Sequence, residues 1–226
     1  YVITNGGGAP NVVPATATVW YFVRADKHED VEYYFKWVSD IAEGAAKMTR
    51  TKLSVGIDTD CHELINNTPL SELLFENLTR IGPPEFTDIE REFARRIQQP
   101  LVEEFDTTFP QAIDGEIKSL EASQQPSKGS TDVGDISWYV PTGGFRTTCM
   151  AAESPGHSWQ NVACIGSTIG EKGIEYAAKI MAITALDLFE KPKLVQAAKV
   201  DWKQRMANRK YTSLIPKGQK PPVKIR

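Results

Sequence analysis

The chain has 226 residues, of which 41% are hydrophobic and 24% charged, with a formal charge of −3, enough for one large domain or two modest ones. That mild acidity, with an isoelectric point near 5.7, argues against nucleic-acid and anionic-membrane partners, and no apolar run reaches the ~18 residues of a membrane span. The three cysteines, Cys61, Cys149 and Cys164, are odd in number and lack paired spacing. They argue against a disulfide framework or cysteine zinc site and point to a reducing, cytoplasmic setting.

Tyr1 opens a β-branched strand over residues 1–5 with neither methionine nor the basic start of a signal peptide, so the chain reads as one that starts inside a domain. Gly6-Gly7-Gly8 and Ala9-Pro10-Asn11 follow as a turn, because the glycines precede a strand and not the helix of a dinucleotide fingerprint. Alternation over about 15–25 predicts a second strand, ending at Arg24. Val31, Tyr34, Phe35, Val38, Ile41 and Ala45 carry the period of a helix. Leu53, Val55 and Ile57 predict a third strand continuing to about 65. This β-β-α-β run suits a small α+β sandwich.

Asn66-Asn67 closes that unit, and Thr68-Pro69 opens a helix whose apolar face is Leu70, Leu73, Leu74 and Leu78. Thr87-Asp88-Ile89-Glu90 is a capping box for a helix to about Gln99. Residues 100–131 read as a long polar loop with a helical turn or two. Order returns over Asp132–Trp138, followed by a strand near 145–151, a loop bearing His157, and a long helix over 171–190. That helix carries Ile174, Ala178, Met181, Ala185 and Leu188 on one side. Beyond Lys199 the tail is basic and proline-containing, a last helix and an extended strap.

Three histidines exist. His28, before an acidic helix start, reads as a solvated residue of the cap region. His62 reads as a surface or packing residue of the third strand. His157 stands apart, because Ser154-Pro155-Gly156-His157-Ser158-Trp159 is a rigid loop between a strand and a helix, a setting that projects an imidazole for metal or proton work. Asp132 and Asp135 satisfy local amides in an Asx-type turn or support a metal ligand from behind, and spacing alone does not choose. Arg24 rises from the aromatic face of Trp20 and Phe22, where a guanidinium can grip a carboxylate in bidentate fashion.

In order, Gly6–Pro14, Arg24-Ala25, Asn66-Asn67, Asp132–Trp138 and Pro155-Gly156-His157-Ser158 resemble the second half of the two-metal amidohydrolases that include aminoacylase, carboxypeptidase G and the auxin-conjugate hydrolases. The resemblance covers essentially the whole chain. It implies an α/β fold: a zinc-peptidase-like catalytic domain, of which residues 68–226 would be the C-terminal part, and an α+β lid and dimerisation domain, of which 1–67 would be part. It implies hydrolysis of the amide bond of N-acyl amino acids such as aminobenzoyl-glutamate by a homodimer or heterodimer, with two divalent ions, zinc or manganese. His157 matches the family's last metal ligand. Asn11 and Arg24, thirteen positions apart, match the pair that holds the substrate carboxylate. Asp135 matches the aspartate of a Ser-Glu-Asp-Phe turn, although Gly134 stands where the family has glutamate, a departure for which Asp132 is near enough to compensate. The general base and the other ligands would lie in the half not matched, so the 226 residues alone should bind no metal tightly and act as an inactive dimerisation and substrate-binding module.

Overall fold

A computed structural model describes residues 1–123 and 129–221. They divide into two compact units, one made of Tyr1–Leu64, Ser130–Asp135 and the stretch from Lys210 onward, the other of Ile65–Gly129 and Ile136–Arg209.

In the first unit, β1 (Val2–Asn5) pairs antiparallel with β2 (Thr18–Trp20), Val2 opposite Trp20 and Ile3 opposite Val19. The glycine run between them is a turn, as expected. Gly7 takes φ +104°, open chiefly to glycine, and its amide donates to Asn5 Oδ1 at 3.3 Å. α1 (His28–Thr49) begins with Glu29 and Asp30, whose charges suit the positive helix end, and stops at Arg50 in the left-handed region. Its half-buried side is Val31, Phe35, Val38 and Ala42, while Tyr34 and Ile41 stay exposed.

The strand expectations need correction. β2 is three residues long, and residues 53–65 enter no ladder among the described residues. Alternation favours extended backbone, but a strand exists only where a neighbour supplies the opposite hydrogen bonds.

The second unit is helical. α2 (Thr68–Ile81) starts where predicted, with Asn67 Oδ1 accepting the Leu70 amide at 3.2 Å and Pro69 in the first turn. α3 (Asp88–Phe105) opens with the predicted capping box, Thr87 N donating to Glu90 Oε2 at 2.7 Å. It runs past Gln99 and through Pro100, because Ala94, Ile97 and Leu101 form one continuous buried stripe that holds the helix across the proline. α4 (Leu120–Ser123) lies in the stretch expected to be irregular, of which residues 124–128 fall outside the described residues. α5 (Val133–Ser137) is a single helical turn at the division between the units, and α6 (Trp159–Ile165) follows the His157 loop. α7 (Thr168–Glu190) and α8 (Pro192–Met206) close the second unit. The expected strand near 145–151 forms no ladder among the described residues. The fold is therefore mainly helical where a mixed α/β sheet structure was expected.

The core gathers Phe86, Ala94, Ile97, Ile113, Cys164 and Ile169, and a second cluster joins Leu74 to Tyr176 and Ile180. α7 turns a different side inward from the one its apolar pattern suggested. Ile169, Gly173, Tyr176, Ile180, Thr184 and Asp187 are buried, whereas Ile174, Ala178, Met181 and Ala185 are exposed. Polar chemistry decides this. Asn77 Nδ2 donates to Thr184 Oγ1 at 3.0 Å and to Asp187 Oδ2 at 3.1 Å, and Arg80 reaches the same carboxylate oxygen. No helix among the described residues is long and apolar enough to cross a membrane.

Candidate functional site

The His157 loop is braced at both ends. At its start, the buried Gln98 side chain of α3 donates to the Gln111 and Ala152 carbonyls at 3.0 and 2.9 Å. At its end, Ser158 caps α6, its hydroxyl accepting the Asn161 amide. The Pro155 carbonyl between them accepts from Ser158 Oγ at 2.7 Å and from Asn161 Nδ2 at 2.9 Å. The knuckle so formed holds His157 at φ +56°, a left-handed conformation costly for a residue with a side chain, and leaves the residue exposed. Ser154 Oγ and Asn161 Oδ1 are buried without a hydrogen-bond partner. Backbone strain beside unmet polar groups is a feature that folds retain where a ligand or partner is engaged.

Asn11 and Arg24 belong to the first unit. Asn11 lies exposed in the turn after the glycine run, and Arg24 lies beyond the end of β2, outside the ladder. The Arg24 guanidinium stands over the Phe22 ring, 5.4 Å from its centroid, and the Trp20 and Phe22 rings pack at 5.1 Å. An arginine held over an aromatic face presents a planar fork suited to an anion.

Asp132 and Asp135 make long-range bonds that the local-turn reading does not contain. Asp135 Oδ1 accepts from both the backbone amide and the ring Nδ1 of His62, at 3.2 and 2.8 Å, and Asp132 Oδ1 accepts from the Cys61 thiol at 3.6 Å. Gly134 lies against the His62 carbonyl, with no room for a β-carbon. Any side chain at this position would collide with that carbonyl, so the backbone here requires glycine.

His62 leads to a cluster that reading the sequence missed. Its ring stacks on His28 at 3.7 Å with the planes 12° apart, and on Tyr211 at 4.3 Å. His28 Nε2 is hydrogen-bonded to Asp60 Oδ1 at 2.9 Å, the His28 amide donates to Glu63 Oε2 at 3.1 Å, and Asp60 Oδ2 accepts the Leu214 amide at 2.8 Å. Both histidines are 5% exposed, which corrects the solvated reading of His28 and settles His62 as packed within the unit. The local signal was present in Asp60-Cys61-His62 and the His28/Glu32 pair one helical turn apart, but nothing local shows that the two meet.

Among the described residues, no group of three or more His, Cys, Asp or Glu side chains could hold a metal ion. These residues therefore do not by themselves fit a two-metal centre. A cleft of about 390 Å³ lies at the N-terminal ends of α3 and α7, lined by Ile89, Glu90, Phe93 and Thr168. Burial would raise the Glu90 pKa, but Lys172, Thr168 and Thr87 donate to the carboxylate and bring it down to about 2. With its oxygens so engaged, Glu90 is a structural ion and not a base in waiting.

All three cysteines are free. No protein-family model and no solved structure matches the chain. Among curated proteins, it is 34% identical to a p-aminobenzoyl-glutamate hydrolase subunit of Escherichia coli, across 98% of its own length and 50% of that protein's. It is 24% and 22% identical to the mouse and human Xaa-Arg dipeptidases, covering 40% and 42% of them. The chain thus spans about half the length of the curated relatives it matches or less. A match at 34% identity along nearly the whole chain places the chain in the amidohydrolase/peptidase family to which these relatives belong.

Proposed function

We propose that these 226 residues are part of a metal-dependent enzyme that hydrolyses the amide bond of N-acyl amino acids such as aminobenzoyl-glutamate. The observation that carries this reading is the 34% identity, along 98% of the chain, to a hydrolase named for that substrate. Arg24 and Asn11 hold the substrate carboxylate, an assignment supported by the guanidinium poised over Phe22. His157 supplies one metal ligand from its strained, exposed knuckle, and Asp132 and Asp135 are read as supporting residues, their carboxylates bonded to Cys61 and His62. The zinc or manganese ions would polarise the carbonyl and activate water; their other ligands come from outside this chain. Residues 1–67 are read as part of a lid and dimerisation domain, and 68–226 as the C-terminal part of the catalytic domain. Three free cysteines agree with a cytoplasmic setting.

A second reading applies to the 226 residues on their own, as an inactive module for dimerisation and substrate binding. It is favoured by the exposed aromatic side chains of the first unit, Trp20, Tyr21, Phe22, Tyr33 and Trp37. These fit a homodimer or heterodimer face, and the naming of the bacterial relative as one subunit of its enzyme agrees with an assembly.

Arg24→Ala in the hydrolase tests the assignment of substrate. KM for p-aminobenzoyl-glutamate should rise roughly tenfold or more with little change in kcat, as expected for loss of a charge-assisted carboxylate contact. An amide substrate lacking the terminal carboxylate should be indifferent to the change. An unaltered KM for p-aminobenzoyl-glutamate contradicts the proposal.

A further inference from the structure

Arg24, assigned above to the substrate carboxylate, sits in the middle of a connection that belongs to neither ladder nor helix. Residues 21–27 join the end of β2 at Trp20 to the start of α1 at His28. At about 3.6 Å of reach per residue, the chain from Arg24 to His28 spans no more than roughly 14 Å. The two ends of the connection therefore set where the guanidinium stands, and they are unequal. Every residue of β1 and β2 is exposed, and a two-stranded ladder without a covered face is marginal in water. Among residues 1–28, His28 alone is buried. The firm end is the start of α1.

That start is held by side chains distant in sequence, all within the first unit. Lys27, at the N-cap position, makes no side-chain cap bond, and a helix start without one leaves its amides to be satisfied elsewhere. Glu63 takes over. Its Oε2 accepts the His28 amide at 3.1 Å, and its negative charge suits the positive end of the helix. Asp60 Oδ1 holds the His28 ring at Nε2, 2.9 Å away, and the other ring nitrogen lies 3.4 Å from Glu32 Oε1. The C-terminal strap braces the same groups. Tyr211 stacks on His62, which stacks on His28. Thr212 Oγ1 donates to Glu32 Oε1 at 2.9 Å, and the Leu214 amide donates to Asp60 Oδ2 at 2.8 Å. Both carboxylates that face the His28 ring are thus also bound by the strap.

We propose that His28, held by Glu63 and braced by Tyr211 of the strap, is the anchor that positions Arg24 for the substrate carboxylate. The proposal rests on the reading of Arg24 given above. It makes the grip on substrate depend on side chains that act only through Arg24. Slack at the anchored end would let the guanidinium leave the geometry that a two-pronged carboxylate contact demands. A cluster with a structural role alone would change stability; a positioning cluster is read in KM, and only while Arg24 is present.

Glu63→Ala beside Glu63→Gln in the hydrolase tests it, with Tyr211→Ala beside Tyr211→Phe should the first pair fold poorly. Each change is made with Arg24 present and again in Arg24→Ala. With Arg24 present, Glu63→Ala should raise KM for p-aminobenzoyl-glutamate roughly threefold or more with little change in kcat. Glu63→Gln, whose side-chain oxygen still accepts the His28 amide, should stay within about twofold of the parent. In the Arg24→Ala background the two Glu63 variants should differ by less than about twofold, because nothing is left to position. A KM that does not move with Arg24 present, or that rises equally in both backgrounds, overturns the proposal. An unaltered KM in Arg24→Ala alone sinks the reading of Arg24, and the positioning role with it. The anchor is judged separately by amide exchange. Residues 25–31 should exchange at least about fivefold faster in Glu63→Ala than in Glu63→Gln, and equal rates overturn the anchor whatever the kinetics show.

Discussion

The two units bury opposite chemistry. The second has an apolar core around Ile97, Ile169 and Ile180, and several of its buried polar groups are bonded to one another, such as Asn77 with Thr184 and Asp187. In the first unit the buried residues among those described are His28, His62 and Gly134, while Ile3, Trp20, Phe22, Trp37 and Ile41 remain exposed. One unit is organised by hydrophobic burial. The other is held by stacked imidazoles and carboxylates, with its apolar side chains turned outward. Single soluble domains rarely leave such broad apolar patches to water, so the outward aromatics of the first unit mark a surface that needs covering.

The comparison can be broken in several places. Ile180→Ala deletes methylenes from a fully buried site in the second unit and should cost about 3–4 kcal/mol. Hydrogen exchange should show amides of α2 and α7 losing protection, and a cost below about 1 kcal/mol would mean that this core is not what holds the unit.

Acid should act next, through Glu90. Its folded pKa lies at about 2, below the usual 4.5, so the stability it contributes is present above about pH 4.5 and is lost as pH falls through 2. The shift corresponds to on the order of 3 kcal/mol at neutral pH. Glu90→Gln should flatten the acid limb of a denaturation series between pH 4.5 and 2, and an unchanged limb would show that Lys172 and the threonines do not stabilise the carboxylate.

His28→Ala should weaken the first unit by about 2–3 kcal/mol, because it leaves the buried Asp60 carboxylate without its imidazole. Amides around residues 57–64 should exchange faster while α3 and α7 keep their protection. If no amide in the first unit responds, the histidine stack is not its organising centre. Trp20→Ser should be smallest in stability, within about 0.5 kcal/mol, as for exposed surface positions. Its effect belongs in self-association, read by sedimentation as weaker dimerisation of the hydrolase.

What could be read from the sequence was local. The Thr87/Glu90 capping box, the Asn67 cap with Pro69, and the turn at Gly7 each need only neighbouring residues, and each is found where expected. The third strand failed because alternation at Leu53, Val55 and Ile57 describes a backbone ready to pair, and pairing needs a neighbour. The buried side of α7 failed because both sides are apolar and the choice was made by Asn77 and Arg80 on another helix. His28 and His62 escaped notice because their meeting depends on how the chain folds back between them. Among the candidate site residues, the sequence revealed the settings of Asn11 in its turn and His157 in its braced loop. It did not reveal the partners of Asp135, which were fixed by the close approach of Gly134 to the His62 carbonyl.

The most direct test of the account is His157→Ala in the hydrolase, with metal content and turnover of p-aminobenzoyl-glutamate measured on the same preparation. The account predicts metal content reduced by about one ion per active site and kcat down by at least about a hundredfold, as follows when a ligand to a working metal is removed. Full metal content with unchanged turnover would contradict it.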